Sequence, residues 1–166
     1  MAQTNRANYL AWLFFALLLS SCGTSKIQVK QKVKPPNTIA VEDLIDHAQS
    51  FLGTPYKWGG QSKKGIDCSG LIYSCFDAIN LPVPRVTSEL VKTGSKVAPR
   101  DLVPGDLVFF KTGKSRKKVN HVGLVIGQKD RGALFIHAST SKGVMISKLD
   151  EPYWHSTFIT ARRLIK

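Results

Sequence analysis

Apolar residues at Val41, Leu44, Ile45, Ala48 and Leu52 recur at the three- and four-residue spacing of one helix face. Thr38 stands where a cap would open that helix, and Gly53 with Pro55 would close it. The stretch TPYKWGGQSKKG has no such period and reads as a glycine-rich loop. From Cys68 the helical spacing resumes through Leu71, Ile72, Cys75, Phe76 and Ile79, until Pro82 and Pro84 stop it. Thr87 reads as the cap of a short helix that ends at Gly94.

The pattern then changes. LVPGDLVFF runs from a Pro-Gly-Asp turn into a strand, and HVGLVIG and ALFIHAS are two more, with Gly127 and Gly132 bounding the turn between them. Val144-Met145-Ile146 and Thr157-Phe158-Ile159 read as further strands. Helices first and strands later predict an α+β domain, N-terminal helices packed on a C-terminal antiparallel β-sheet.

Ahead of this domain the pattern is of another kind. YLAWLFFALLLS is uncharged and apolar but short for a bilayer-spanning helix, and it ends in small residues directly before Cys22. The stretch resembles a bacterial lipoprotein signal, cut before a cysteine that then carries lipid. An ordinary secretory signal or an uncleaved anchor would leave Cys22 incidental. The expected organisation is a signal peptide over 1–21, a lipidated basic linker over 22–37 that includes Pro35-Pro36, and a domain over 38–166.

Charge changes the picture of the partners. The chain carries 24 Lys+Arg against 11 Asp+Glu, a formal +13. In a cytosolic protein such an excess would point to nucleic acid. On an exported, lipid-anchored chain it points instead to anionic lipid headgroups and cell-wall polymers. Lys26, Lys30, Lys32 and Lys34 lie in the linker, and Lys111, Lys114, Arg116, Lys117 and Lys118 crowd one segment between two strands. Each group reads equally as a solvated stretch or as a binding patch.

Two cysteines remain for the domain. On one helix, two turns apart, Cys68 and Cys75 would have Cα atoms about 10 Å distant, too far to bridge. Cys75 shares the apolar face with Leu71, Ile72 and Phe76 and reads as a small buried side chain. Cys68 stands at the start of its helix. There the unpaired N–H groups and the dipole favour an anion, so the position is expected to lower the thiol pKa and make Cys68 a nucleophile.

A thiolate needs an imidazolium partner, itself held by a third group. His47 lies beside Asp43 and Asp46 on the polar side of its helix and reads as solvated; His155, after Tyr153 and Trp154, reads as packing or surface. His121 opens one strand and His137 sits late in the next. In an antiparallel hairpin the two project from one sheet face only if paired positions have an even sum. Nucleophilic chemistry at Cys68 is expected only if that face is on its own side of the sheet. Zinc is the competing use of these residues, but no C-x₂-C or H-x₃-H pair is present, so no metal site is expected.

PYKWGG, GIDCSGLIY, VPRVTSE, LVPGDLVFF, HVGLVIG and FIHAS stand in the order found in the NlpC-like cell-wall cysteine peptidases, a papain-like group, and the resemblance spans about residues 40–165. It implies a papain-like fold, no cofactor, and cleavage of peptidoglycan stem peptides or cross-links through a thioester. It further implies that Cys68 is the nucleophile, His121 the base and His137 the group that orients it. Tyr56 would help hold the oxyanion together with the Cys68 backbone N–H. Asp67 and Ser69 would grip the stem peptide, including a free amine where one is present. Arg85 would serve the substrate groove or the structure, and Trp58 reads as a wall of the cleft. The same triad also fits an amidase or an acyltransferase. A non-catalytic wall-binding lipoprotein would leave the matching cysteine, histidines and tyrosine without a purpose. The implied location is the bacterial cell envelope, membrane-bound through lipid on Cys22.

Overall fold

The computed structural model describes residues 36–113, 118–130 and 132–165. The apolar leader, Cys22, the lysines of the linker and Lys114, Arg116 and Lys117 lie outside the described residues.

The first helix, α1, runs Pro36–Gln49 and so begins inside the stretch assigned to the linker. Thr38 lies within its first turn and does not cap it. Leu44 and Ala48 are buried as their spacing requires, but Leu52 is 47 % exposed and Phe51 takes the buried place instead. The helix stops at Gln49, and the turn that follows breaks the 3.6-residue period. His47 is also not a solvated residue: its ring stacks obliquely on Phe51, and Nε2 lies 3.0 Å from the Ser74 hydroxyl on the next helix.

The glycine-rich loop contains a two-residue hairpin, β1 (Gln61–Ser62) with β2 (Gly65–Ile66), and Tyr56 makes a parallel bridge to Ile66. Helix α2 then runs Cys68–Ala78, and α3 covers only Thr87–Leu90. Val86 precedes α3, so Thr87 is its first helical residue and not its cap. The remaining strands and α-helices are β3 (Ser95–Val97), β4 (Leu107–Phe110), β5 (His121–Lys129), β6 (Gly132–Ser139), β7 (Gly143–Lys148), α4 (Pro152–Thr157) and β8 (Phe158–Arg163). Thr157 thus ends a helix and does not begin the last strand.

Six of the strands form one antiparallel sheet in the order β3-β8-β4-β5-β6-β7. Its two faces are covered differently. Leu107, Phe109, Val122, Leu124, Ile136 and Ala138 point toward α1 and α2 and meet Leu71, Ile72, Cys75 and Phe76 there. Val108, Phe110, Val125, Phe135 and Ala161 point the other way, toward Trp154 and Phe158. Each fully buried Leu or Phe of these layers contributes about 1.5–3 kcal/mol of apolar transfer. α1 and α2 packed on one face of an antiparallel sheet are the α+β arrangement expected from the order of elements, and this fixes where the start of α2 meets the end of β5.

Candidate active site

Asp67 builds the entrance to α2. It is extended, and its carboxylate caps the helix by accepting from the Gly70 N–H at 2.6 Å. The same carboxylate accepts from the Gly59 N–H at 2.7 Å, which ties the glycine-rich loop to the helix. Gly70 has to be glycine, because a Cβ there would meet the Gly60 carbonyl of that loop. Arg85 completes the junction. Its two terminal nitrogens donate to the Asp67 oxygens at 2.9 and 3.0 Å, to the Ser69 hydroxyl at 2.9 Å and to the Gly60 carbonyl at 3.1 Å. Burial alone would raise the Asp67 pKa, but Arg85 and the N–H groups of Gly70 and Gly59 outweigh it and hold the carboxyl below its usual range.

Cys68 follows as the first residue of α2, 7 % exposed, and both it and Cys75 are free thiols. Its Sγ lies 3.9 Å from the Thr87 hydroxyl and 4.0 Å from the Asn120 carbonyl, the residue directly before His121. The position at the helix mouth is the one expected, but the direction of the pKa is not. Burial pushes the thiol up, and Asp67 adds to this. The Thr87 hydroxyl and the N–H groups of Val122 and Ser69 pull only part of the way back. Cys75, wholly buried, is pushed up to about 12.

The two histidines meet because β5 is bulged. Near the hairpin turn the register is Gly127↔Leu134 and Lys129↔Gly132, an odd sum that would send His121 and His137 to opposite faces. A bulge between Val125 and Gly127 shifts it to Val125↔Phe135 and Leu124↔Ile136, an even sum, and the two rings come to one side. His121 Nε2 lies 3.0 Å from His137 Nδ1. Gly123, between His121 and Val125, leaves room for the Phe135 ring that a Cβ would strike.

That shared face is not the one expected. His121 and His137 project with Phe110 and Phe135, away from α2, and Trp154 closes over them, stacked on His121 at 5.5 Å and edge-on to His137 at 4.6 Å. Cys68 packs with the layer on the α2 side, so it and His121 share no sheet face. Both residues line one cleft of about 740 Å³, together with Tyr56, Asp67, Ser69 and Arg85. Trp58, at its rim, is 87 % exposed. Burial raises the Tyr56 pKa, and the charges of Cys68 and Asp67 add to the rise, which keeps the phenol in its hydrogen-bond-donating form.

Residues 53–163 match the NlpC/P60 family. The chain belongs to that family. The family is one of cysteine peptidases, and the chain is an enzyme of that class. It is 42 % identical to the probable endopeptidase NlpC of Escherichia coli K12 over 159 residues, which cover 92 % of this chain and 96 % of that protein. With the murein DD-endopeptidase MepS/murein LD-carboxypeptidase of the same organism it shares 41 % identity over 123 residues, 74 % of this chain and 62 % of that protein. Among solved structures, an NlpC/P60 family protein from Bacillus cereus ATCC 10987 superposes with a TM-score of 0.68 and 31 % identity over 76 % of this chain; the match spans 40 % of that chain.

Within this NlpC/P60 domain the two histidines are held neutral. Burial pulls His121 down to about 4 and His137 to about 3, the latter also under the influence of His121. Unfolded histidines titrate near 6.5. Below about pH 6.5 the unfolded chain binds protons that the folded one refuses, so stability falls as pH drops toward 4. Denaturant midpoints measured from pH 7 to pH 4 are expected to fall with an uptake approaching two protons, and His137→Gln to remove about one of them. An unchanged uptake in that variant would contradict the burial of a neutral His137.

Two features were not found from the residues alone. Ser147, on β7, sits 3.0 Å from His137 Nε2, and Thr87 faces the thiol. A single serine in a strand has no pattern to mark it. In the sequence Thr87 reads as a cap, the commonest use of a threonine at that place.

Proposed function

We propose that this enzyme hydrolyses peptide bonds in peptidoglycan stem peptides or cross-links, with Cys68 as nucleophile, His121 as base and His137 as the group that orients His121. The observation that carries the reading is the His121 Nε2 to His137 Nδ1 hydrogen bond, which leaves His121 Nδ1 for the thiol in the cleft they share. The names of the E. coli relatives, both endopeptidases and one of them acting on murein, supply the substrate class.

The thiol and the imidazole start neutral, so the proton moves as the substrate binds. Sγ attacks the carbonyl carbon while its proton passes to His121 Nδ1, and a tetrahedral oxyanion forms. The Cys68 N–H, left without a helical partner at the first turn, and the Tyr56 hydroxyl receive that charge. The C–N bond then breaks, and His121 returns the proton to the leaving amine. Water attacks the resulting thioester, its proton goes to His121, and the thiol leaves and recovers it. Lipid on Cys22 would hold the domain at a membrane of the cell envelope and raise its effective concentration at the wall.

Digestion of purified muropeptides by the protein, with products identified by mass, tests the reading. The expected result is paired fragments whose summed mass exceeds the substrate by one water, and the fragments assign the bond. An adduct without added water would mark an acyltransferase, and intact muropeptides would overturn the proposal.

A further inference from the structure

We propose that Ser147 is a positioning residue whose hydroxyl accepts from His137 Nε2–H and so supports the tautomer that leaves His121 Nδ1 free to meet the thiol. The inference rests on the cysteine-peptidase reading of the site and extends it by one side chain.

Ser147 is 5 % exposed on β7, in register with Phe135. It approaches His137 from the side opposite His121, so both nitrogens of the His137 ring are bonded: Nδ1 to His121 Nε2 and Nε2 to the Ser147 hydroxyl, each at 3.0 Å. A neutral imidazole has one N–H and one lone pair, so one bond is donated and the other accepted. That leaves two arrangements of the chain.

In the first, His137 Nε2–H donates to Ser147 Oγ, and Nδ1 accepts from His121 Nε2–H. His121 then presents the lone pair of Nδ1 to the cleft and can take the Cys68 proton. In the second, every bond is reversed. Ser147 donates to Nε2, His137 Nδ1–H donates to His121, and His121 keeps its proton on Nδ1, where it cannot act as a base. Once His121 has become an imidazolium it donates from both nitrogens, and only the first arrangement survives. The terminal acceptor of that arrangement is Ser147 Oγ.

Among the described residues, only Ser147 bonds His137 Nε2. Phe135 and Trp154 pack on the His137 ring, and the one charge that bears on it is that of His121. Among the described residues, no carboxylate is hydrogen-bonded to either ring. Without the hydroxyl, the first arrangement would strand a buried N–H on His137, the rarer and costlier defect, so the ring would turn to the second.

Ser147→Thr and Ser147→Val make the decisive pair, since the two side chains have one shape and differ only in the hydroxyl. The protonated ring nitrogens of ¹⁵N-histidine-labelled protein, read by long-range ¹H–¹⁵N correlation at neutral pH, are expected to be Nε2 for both His121 and His137 in the wild type and in Ser147→Thr. In Ser147→Val the proton of His121 is expected on Nδ1, with kcat on muropeptides about 10- to 100-fold lower and KM little changed, a part of the 10²–10⁴ of a general base. Equal kcat in the Thr and Val proteins, or Nδ1–H on His121 in the wild type, would overturn the inference. The tautomer readout needs no substrate, so failure of the wild type to cleave muropeptides tells against the proposed substrate and not against Ser147.

Discussion

Cys68→Ala is expected to abolish hydrolysis of muropeptides, with kcat/KM down by at least about 10⁴, while the thermal transition stays within about 2 °C of the wild type. The chemical part follows from Cys68 being the one thiol among the described residues that line the cleft; Ser69 bonds to Asp67 and Arg85 and points into the helix junction. The stability part follows from packing. Replacing the 7 % exposed –CH₂SH side chain by a methyl removes one sulfur from the edge of the core and leaves Asp67 to cap the helix as before. Losses of 10³ to 10⁴ and beyond are usual when the nucleophile of a covalent mechanism is removed. The same geometry predicts the labelling pattern: a thiol alkylating agent reaches Cys68 at the cleft and leaves Cys75, buried and pushed up to about 12, unmodified. Residual turnover above a tenth of wild type in Cys68→Ala would remove the thiol from the mechanism.

The parts of this site that could be read in the sequence are those carried by runs of residues. LVFF, HVGLVIG and ALFIHAS are apolar stretches of strand length, and each is a strand at nearly the expected position. Asp67-Cys68 at the start of a helical pattern also behaved as the spacing implied. What escaped was set by contacts between distant segments. Ser95-Lys96-Val97 is a strand only because β8 pairs with it, and nothing in three such residues announces it. The bulge at Ile126 leaves no mark in an unbroken apolar run, yet it decides whether the histidines meet. The rise of the Cys68 pKa has the same origin. The helix mouth was legible, whereas the burial that outweighs it is made by β5 and α3 closing on the thiol.

Asp67→Ala is expected to destabilise the fold by about 3 kcal/mol, a drop in Tm of about 10 °C, although the family resemblance implies a substrate-gripping role for Asp67. Five hydrogen bonds are lost together: the cap on Gly70, the tie to Gly59, the bond from the Ser69 hydroxyl and the pair from Arg85. A cap alone is worth about 0.5–2 kcal/mol. Breaking a buried ion pair ranges up to about 5, discounted here because the Arg85 side chain keeps 26 % of its exposure to water. The effect depends on pH with a definite sign. Asp67 is held below its usual carboxyl range, so its contribution is complete above about pH 4, the unfolded value, and is lost as pH falls through the folded one. A double-mutant cycle with Arg85→Ala separates the pair from the cap: the two changes should be far from additive, because each leaves the other partner stranded. Were Asp67 chiefly a ligand for a substrate amine, Asp67→Ala would leave Tm unchanged and raise KM for peptides with a free amino terminus. With both carboxylate oxygens already bonded to Arg85 and to the loop and helix N–H groups, the stability loss is the expected outcome.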